Sequence, residues 1–148
     1  MVRKQNIKNL RTEKIGITIL KNKVPNFIIP IKDERQYIYN KLNIDFKKYS
    51  RSIDGIILNV PSAYDVKSQK DCLLVEIKTT SSSKVKNLPY GVFCGFTKNE
   101  EDLFRDHSNY RLCIVHTELE EYVLLNYDEN LGFIQNKRVQ YQINFKSH

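Results

Sequence analysis

The stretch from residue 52 to residue 80 contains two apolar runs of strand length with a polar segment between them. The first run is SIDGIILNV, the second is DCLLVEIKTT, and the intervening PSAYDVKSQK is rich in turn-forming and charged residues. Runs of β-branched and aliphatic residues bounded in this way are typical of neighbouring strands. The sequence therefore predicts antiparallel strands at about 53–60 and 72–79, joined by a loop.

Three charged residues interrupt the apolar pattern at one end of this strand pair. Side chains alternate between the faces of a strand, so Glu76 and Lys78 are expected on one face and Val75 and Ile77 on the other. With the loop centred near residue 66, Asp54 is predicted to lie across from Lys78 and on the same face. Charges among apolar strands are costly unless they are paired or bind a metal, so this end of the sheet is the candidate site.

These residue types suit metal-assisted hydrolysis of a phosphodiester. The carboxylates of Asp54 and Glu76, with the backbone carbonyl of Ile77 and waters, would form the hard oxygen site that Mg²⁺ prefers, and Mn²⁺ is a possible substitute. Such an ion neutralises phosphate charge and lowers the pKa of an attacking water. Lys78 would orient that water or meet the charge that develops on the phosphate.

The same residues carry a resemblance to a known family. Ile53-Asp54 on one strand and Glu76-Ile77-Lys78 on the next resemble the motif of the PD-(D/E)xK nuclease superfamily, which includes restriction endonucleases and Holliday-junction resolvases. The resemblance spans roughly residues 10–117. Ile53 stands where the family usually has proline.

Two further stretches, 76–80 (EIKTT) and 96–100 (FTKNE), are similar to nuclease-like domains of bacterial restriction and defence proteins. The resemblance implies an α/β fold of the restriction-endonuclease-like type, a mixed β-sheet flanked by α-helices. It also implies a Mg²⁺-dependent DNA endonuclease, with Asp54, Glu76 and Lys78 as catalytic residues.

A third acidic residue has two candidates. Apolar residues at helical spacing predict an amphipathic helix over residues 5–21, in which Glu13 lies on or beside the buried face. Many members of the superfamily carry a glutamate on the first helix that points towards the metal, so the resemblance makes Glu13 a further catalytic candidate. Glu34, at the start of the next predicted helix, is the rival, and its alternative role is to favour the helix dipole.

A bland alternative exists for the central motif. The chain has nine glutamates and 17 lysines, so about one Glu-x-Lys is expected by chance, and one is found. The alternative is a surface ion pair at the end of a strand. The position of the motif at the end of an apolar strand, with Asp54 facing it, favours the nuclease interpretation.

The charge of the chain favours a polyanionic partner. Its net charge is +7 and its pI is about 9.3. Lys47, Lys48 and Arg51 lead directly into Asp54, and the polar loop after the second strand carries further lysines. The residues predicted to contact DNA phosphates are Lys47, Lys48, Arg51, Lys84 and Lys86.

Composition excludes several other classes. No apolar run approaches 18 residues, and the N-terminus lacks a hydrophobic signal core, which predicts a cytoplasmic protein without a membrane partner. The three cysteines are widely spaced within apolar runs and predict neither disulfides nor a zinc site. His116 ends an apolar strand and is predicted to be structural.

The rest of the chain is predicted to complete one domain over residues 1–148, with a core at about 5–117. Asp33 is a candidate N-cap, with Gln36 at the capping-box position, for a helix that runs to about Leu42. Residues 24–31 contain two prolines and predict an edge or connecting segment.

Beyond the second strand, Thr97 and Glu100 fit a capping box for a helix to about His107. A strand at 110–117 is then predicted to lie parallel beside 72–79 through a right-handed crossover. Residues 121–127 predict another strand. Residues 132–145 predict a hairpin that turns at Asn136-Lys137 and whose second arm alternates Val139, Tyr141, Ile143 and Phe145.

The preferred function is a restriction or defence endonuclease acting on DNA. With one site per chain, double-strand cleavage would need a homodimer, a second catalytic subunit or a separate specificity subunit. Three alternatives remain: a Holliday-junction resolvase-like nuclease, a non-catalytic nucleic-acid-binding subunit with the nuclease fold, and an interaction subunit whose C-terminal strands, at about 120–145, recruit another protein.

Overall fold

The computed structural model describes residues 2–147, with side chains described from residue 11 onward. Within this range the chain forms five strands, five α-helices and two short 3-10 turns. The strands are β1 (Phe27–Ile28), β2 (Gly55–Leu58), β3 (Cys72–Thr80), β4 (Tyr110–His116) and β5 (Glu121–Leu125). The helices are α1 (Val2–Lys23), α2 (Lys32–Lys41), α3 (Phe46–Tyr49), α4 (Lys98–Asp106) and α5 (Tyr127–Phe133).

The strands form one mixed sheet in the order β1-β2-β3-β4-β5. β1 and β2, β2 and β3, and β4 and β5 pair antiparallel, whereas β3 and β4 pair in parallel. The parallel pair is connected through α4, which confirms the predicted crossover. The segment with two prolines contributes β1, a two-residue strand at the edge of the sheet, as its composition predicts.

Helices cover both faces of the sheet, so the chain is an α/β protein. α1 packs on one face, where Leu20 contacts a cluster that includes Val75, Ile77 and Val115. The larger core lies on the other face, between the strands and residues of α2, α4 and α5. Among the described residues, no helix is long and apolar enough to cross a membrane.

Gly16, near the middle of α1, lies where the helix packs closely against β3. A Cβ at this position would lie 2.8 Å from Cγ2 of Thr79 on β3, closer than real Cβ atoms approach other atoms. The glycine therefore lets the helix backbone come close to the sheet. This close approach places the middle of α1, which contains Glu13, near the C-terminal end of β3.

The predicted start of α2 is wrong by two residues. The N-cap is Ile31 rather than Asp33, and the helix begins at Lys32. The backbone N–H of Ile31 donates to Oε1 of Glu34 at 3.0 Å, so the glutamate takes the capping role assigned to Gln36. Glu34 is the third residue of the helix, the position from which a glutamate side chain reaches back to the N–H of the N-cap residue. Asp33 lies inside the helix and is therefore not its N-cap.

The predicted C-terminal hairpin is also wrong. β5 ends at Leu125, and the side chain of Asn126 accepts a hydrogen bond from the N–H of Glu129, which starts α5. Residues 134–147 have no regular secondary structure. The alternating residues of the expected second arm find no buried face, because Val139, Tyr141, Ile143 and Phe145 are 73–91% exposed.

Candidate active site

Asp54 is held at the point where β2 meets β3. Its backbone N–H donates to the carbonyl of Val75, and its Oδ2 accepts a hydrogen bond from the N–H of Ile77, both at 2.8 Å. Gly55 pairs with Val75, so the register places Asp54 opposite Glu76. The prediction that Asp54 lies across from Lys78 is wrong by two residues, because the loop between β2 and β3 is centred on residue 65 and not on residue 66.

The two residues before Asp54 are held in place by hydrogen bonds from distant side chains, which the sequence did not reveal. The hydroxyl of the buried Tyr110 donates to the carbonyl of Ser52 at 2.7 Å. The guanidinium of Arg35 donates to the carbonyl of Ile53 at 2.6 Å. Backbone carbonyls that are paired in this way hold the chain in one position, so the carboxylate of Asp54 enters the site from a fixed segment.

Glu76 and Lys78 lie on the predicted face, and their side chains meet. Nζ of Lys78 lies 3.3 Å from Oε1 of Glu76, whose residue is 6% exposed. The other oxygen of Glu76, Oε2, is buried and has no hydrogen-bond partner among the described residues. A buried acceptor without a partner carries a desolvation cost of about 1–3 kcal/mol that a bound cation would remove.

Glu100 also belongs to this cluster, although the sequence analysis named it only within the 96–100 stretch and as a capping residue, and not as a site residue. Nζ of Lys78 donates to both of its carboxylate oxygens at 3.2 Å. Its Oε1 also accepts the N–H of Thr97, which confirms the predicted capping box. Phe96 closes another side of the lysine, with its ring centroid 5.3 Å from Nζ.

Burial dominates the electrostatics of the cluster. Burial and then the charges of Asp54 and Glu100 raise the pKa of Glu76 to about 11. Burial also raises the pKa of Asp54, although the N–H of Ile77 and the side chain of Glu76 oppose the rise. Burial lowers the pKa of Lys78, but Glu76 and Glu100 outweigh it and leave that pKa above its ordinary value.

The short contact between Glu76 and Lys78 suggests an ion pair, whereas the raised pKa assigns a proton to Glu76 at neutral pH. Three carboxyl groups share one lysine in this buried cluster and cannot all be ionised, so Glu76 is the protonated member. Glu100 with its two hydrogen bonds is then the principal anionic partner of the lysine. A cation that joined Asp54 and Glu76 would displace the proton.

The two candidates for the third acid differ in their surroundings. Burial, followed by the negative charge of Asp54, raises the pKa of Glu13, and the positive charge of Lys78 opposes this rise. Glu13 is therefore within electrostatic reach of the cluster. Glu34 instead accepts the N–H of Ile31 at the start of α2. Of the two, only Glu13 interacts with the other site residues.

The described residues contain no group of three or more histidine, cysteine, aspartate or glutamate side chains arranged to hold a metal ion. The chemistry of the pair formed by Asp54 and Glu76 nevertheless fits a hard divalent cation, because both are carboxylates and Oε2 of Glu76 is a buried oxygen without a partner. A cation there would have two side-chain ligands, with the carbonyl of Ile77 and waters as the remaining oxygen donors.

The predicted DNA-contacting residues are exposed. Lys47 and Lys48 lie on α3, and the carbonyl of Lys48 accepts a hydrogen bond from Nδ2 of Asn99 at 3.1 Å, which links α3 to the start of α4. Arg51 is exposed in the segment that follows α3. These cations are thus connected to the helix that carries Glu100.

Lys84 and Lys86 are also exposed, in the loop after β3, and flank the buried Val85. The loop is tied to β4, since Nε2 of His116 lies 2.9 Å from the carbonyl of Ser82. This contact and the 1% exposure of His116 confirm its predicted structural role.

The fold and the cluster define a class in coarse terms: an α/β protein with a five-stranded mixed sheet, whose β2 and β3 bring two carboxylates and a lysine together. Comparison with models of protein families, with curated proteins and with solved structures finds no match to this chain.

Proposed function

We propose that this chain is a metal-dependent DNA endonuclease with a restriction-endonuclease-like fold. The observation that carries the proposal is the meeting of Asp54, Glu76 and Lys78 at one end of one sheet face, where Oε2 of Glu76 is buried without a partner. Burial and the neighbouring carboxyl groups keep a proton on Glu76 in the metal-free cluster, and a divalent cation between Asp54 and Glu76 would take the place of that proton.

In this proposal Asp54 and Glu76 hold Mg²⁺, or Mn²⁺ in its place, together with the carbonyl of Ile77. Such an ion, when bound, would lower the pKa of a coordinated water and neutralise charge on the scissile phosphate. Lys78 donates hydrogen bonds to the attacking water or to the phosphate oxygen on which charge develops. Glu13, which interacts electrostatically with Asp54, is the proposed third acid.

The proposed substrate is DNA, bound through its phosphates. The net charge of +7 and the exposed Lys47, Lys48 and Arg51 near the site support a polyanion. Phosphate contacts fix position without reading sequence. A restriction or defence role is preferred, and one site per chain then nicks one strand, so that cutting both strands requires a second copy or a partner subunit.

A second candidate is a nucleic-acid-binding protein without catalysis. The observation that favours it is the closed state of the cluster, in which Nζ of Lys78 is within 3.3 Å of both Glu76 and Glu100. A lysine held by two carboxyl groups would in this case stabilise the end of β3 and take no part in chemistry. The two candidates differ in whether a divalent cation binds and whether DNA is cut.

The test is cleavage of supercoiled plasmid by the wild-type chain and by Lys78→Ala, with Mg²⁺, with Mn²⁺ and with chelator. The nuclease proposal expects conversion to the nicked form that needs the metal and that Lys78→Ala abolishes. Lys70→Ala is the matched control, because Lys70 is an exposed lysine outside the cluster. Wild-type chain that binds the plasmid but leaves it uncut with every divalent metal would support the binding protein instead.

A further inference from the structure

Glu100 is buried more deeply than capping a helix requires. Three helices of the described chain carry a glutamate whose carboxylate accepts the N–H of the N-cap residue: Glu34 in α2, Glu100 in α4 and Glu129 in α5. Glu129 is exposed and Glu34 is partly exposed, whereas Glu100 is 3% exposed. Burying a carboxylate is costly, so its position in α4 calls for a function beyond the cap.

The contacts of Glu100 indicate that function. Both of its oxygens accept hydrogen bonds from Nζ of Lys78, while Oε1 is fixed in turn by the N–H of Thr97. The carboxylate is thus held by the start of α4 and holds the lysine of β3. Hydrogen bonds between charged groups are about twice as strong as neutral ones, so this pair restricts the lysine strongly.

We propose that Glu100 is a positioning residue of the nuclease site, which keeps the ammonium group of Lys78 beside Asp54 and Glu76, the two carboxyl groups that would hold the metal. This inference rests on the proposed function. Lys78 has two carboxyl neighbours in the cluster, Glu76 and Glu100, and Glu76 is also a ligand of the proposed cation. Glu100 remains, on a separate element, and so preserves both the place and the charge of the lysine while the water or phosphate is bound.

The position of Glu100 also connects the site to the exposed lysines of α3, Lys47 and Lys48. Asn99, the preceding residue, donates a hydrogen bond to the carbonyl of Lys48 on α3. The start of α4 therefore contacts the segment that carries Lys47 and Lys48 and, through Glu100, the catalytic lysine. Asn99 and Glu100 are adjacent residues of α4, so a phosphate bound by Lys47 and Lys48 would lie in a fixed relation to the ammonium group that Glu100 holds.

The test compares Glu100→Gln and Glu100→Asp with wild type. Glu101→Gln is the matched control, because Glu101 is the next residue of α4, its side chain is 41% exposed and its ion pair is with Lys137. The first readout does not depend on cleavage: the rate at which Nζ of Lys78 is acetylated in the metal-free chain, measured by mass spectrometry against an exposed lysine. Loss of a charged hydrogen-bond partner is expected to speed Lys78 labelling about tenfold in Glu100→Gln.

The second readout is the kinetics of plasmid nicking. Glu100→Gln is expected to lower kcat about 10- to 100-fold with KM changed less than about twofold, since positioning acts on the bound complex. Glu100→Asp keeps the charge and is expected to recover part of the loss. Glu101→Gln is expected to match wild type in both readouts. Circular dichroism and urea unfolding verify that each variant folds.

Different outcomes overturn different statements. Lys78 labelling at the wild-type rate in a folded Glu100→Gln chain would show that Glu100 does not hold the lysine. Faster labelling with unchanged kcat would reduce the contact to a structural one and overturn the positioning role. A wild-type chain in which Glu100 protects Lys78 from acetylation but which never cuts DNA would overturn the proposed function, and the positioning role with it, while the contact would stand.

Discussion

Replacement of Glu76 by glutamine is expected to stabilise the metal-free chain, although it removes a residue of the site. The pKa of Glu76 is about 11 in the folded chain against an ordinary value of 4.5. The folded state therefore holds a proton that the unfolded state releases above pH 4.5. Stability from this residue is complete below the ordinary pKa and is lost as pH rises towards the folded pKa, and glutamine, which does not titrate, escapes that loss.

The magnitude follows from the distance between the ordinary pKa and the pH of the measurement. From 4.5 to pH 7 is about 2.5 pH units, each worth about 1.4 kcal/mol, which gives about 3.5 kcal/mol as an upper bound. Asp54 shares the cluster and its pKa is also raised, so part of this free energy belongs to the pair. We expect the free energy of unfolding of Glu76→Gln to be about 1–3 kcal/mol higher than that of wild type at pH 7, and almost equal to it near pH 4.5.

Urea unfolding followed by circular dichroism at pH 5, 7 and 8.5, with chelator present, measures this difference. Glu101→Gln, a loss of the same charge at a partly exposed position, provides the control. Mg²⁺ or Mn²⁺ at about 100 times its dissociation constant is expected to stabilise wild type by about 2.7 kcal/mol and Glu76→Gln by much less. A glutamine variant that is equal to or less stable than wild type at every pH would refute the reasoning about burial.

Three further outcomes are expected. Replacing Lys47 and Lys48 with alanine should weaken binding to DNA of any sequence alike and lower the salt dependence, the slope of log K against log salt, by up to about 2, as measured by fluorescence anisotropy. Tyr110→Phe leaves the carbonyl of Ser52 unpaired in the core and should cost about 1–3 kcal/mol in urea unfolding; an unchanged midpoint would exclude the fastening role. Gly16→Ala should destabilise the fold by about 1 kcal/mol, since the steric cost against β3 exceeds the gain in helix propensity, and a more stable variant would contradict the close packing of α1.

The strand pair and its charged end were predictable because alternation is a local property. The predicted register was wrong by two residues, yet Asp54 still lies on the same face as Glu76 and Lys78, since a shift of two preserves the face on which every side chain lies. A shift of one would have put Asp54 in the other layer. The α4 helix and the parallel position of β4 were equally accessible, because a capping box and a crossover rule fix them.

What the sequence could not provide depends on contacts between distant residues. Glu100 had a sufficient local explanation as a capping residue, so nothing in its surroundings announced a second partner 22 residues away. The hydrogen bonds of Arg35 and Tyr110 to the segment before Asp54 span 18 and 58 residues. At the C-terminus, alternation predicted a strand, but β structure needs a neighbour, and the exposed residues of 139–145 have no strand beside them in the described chain.

The carboxylate of Asp54 stands in for a backbone carbonyl in the ladder between β2 and β3, because it takes the N–H of Ile77 where β2 has not yet begun. The Asp54 side chain thus both links the two strands through a hydrogen bond and serves as a ligand of the proposed cation. Asp54→Ala would remove both the hydrogen bond between the strands and the negative charge, whereas Asp54→Asn retains an acceptor oxygen for the N–H of Ile77. Comparing the stability and metal binding of the two variants therefore separates loss of the hydrogen bond to Ile77 from loss of the negative charge of Asp54.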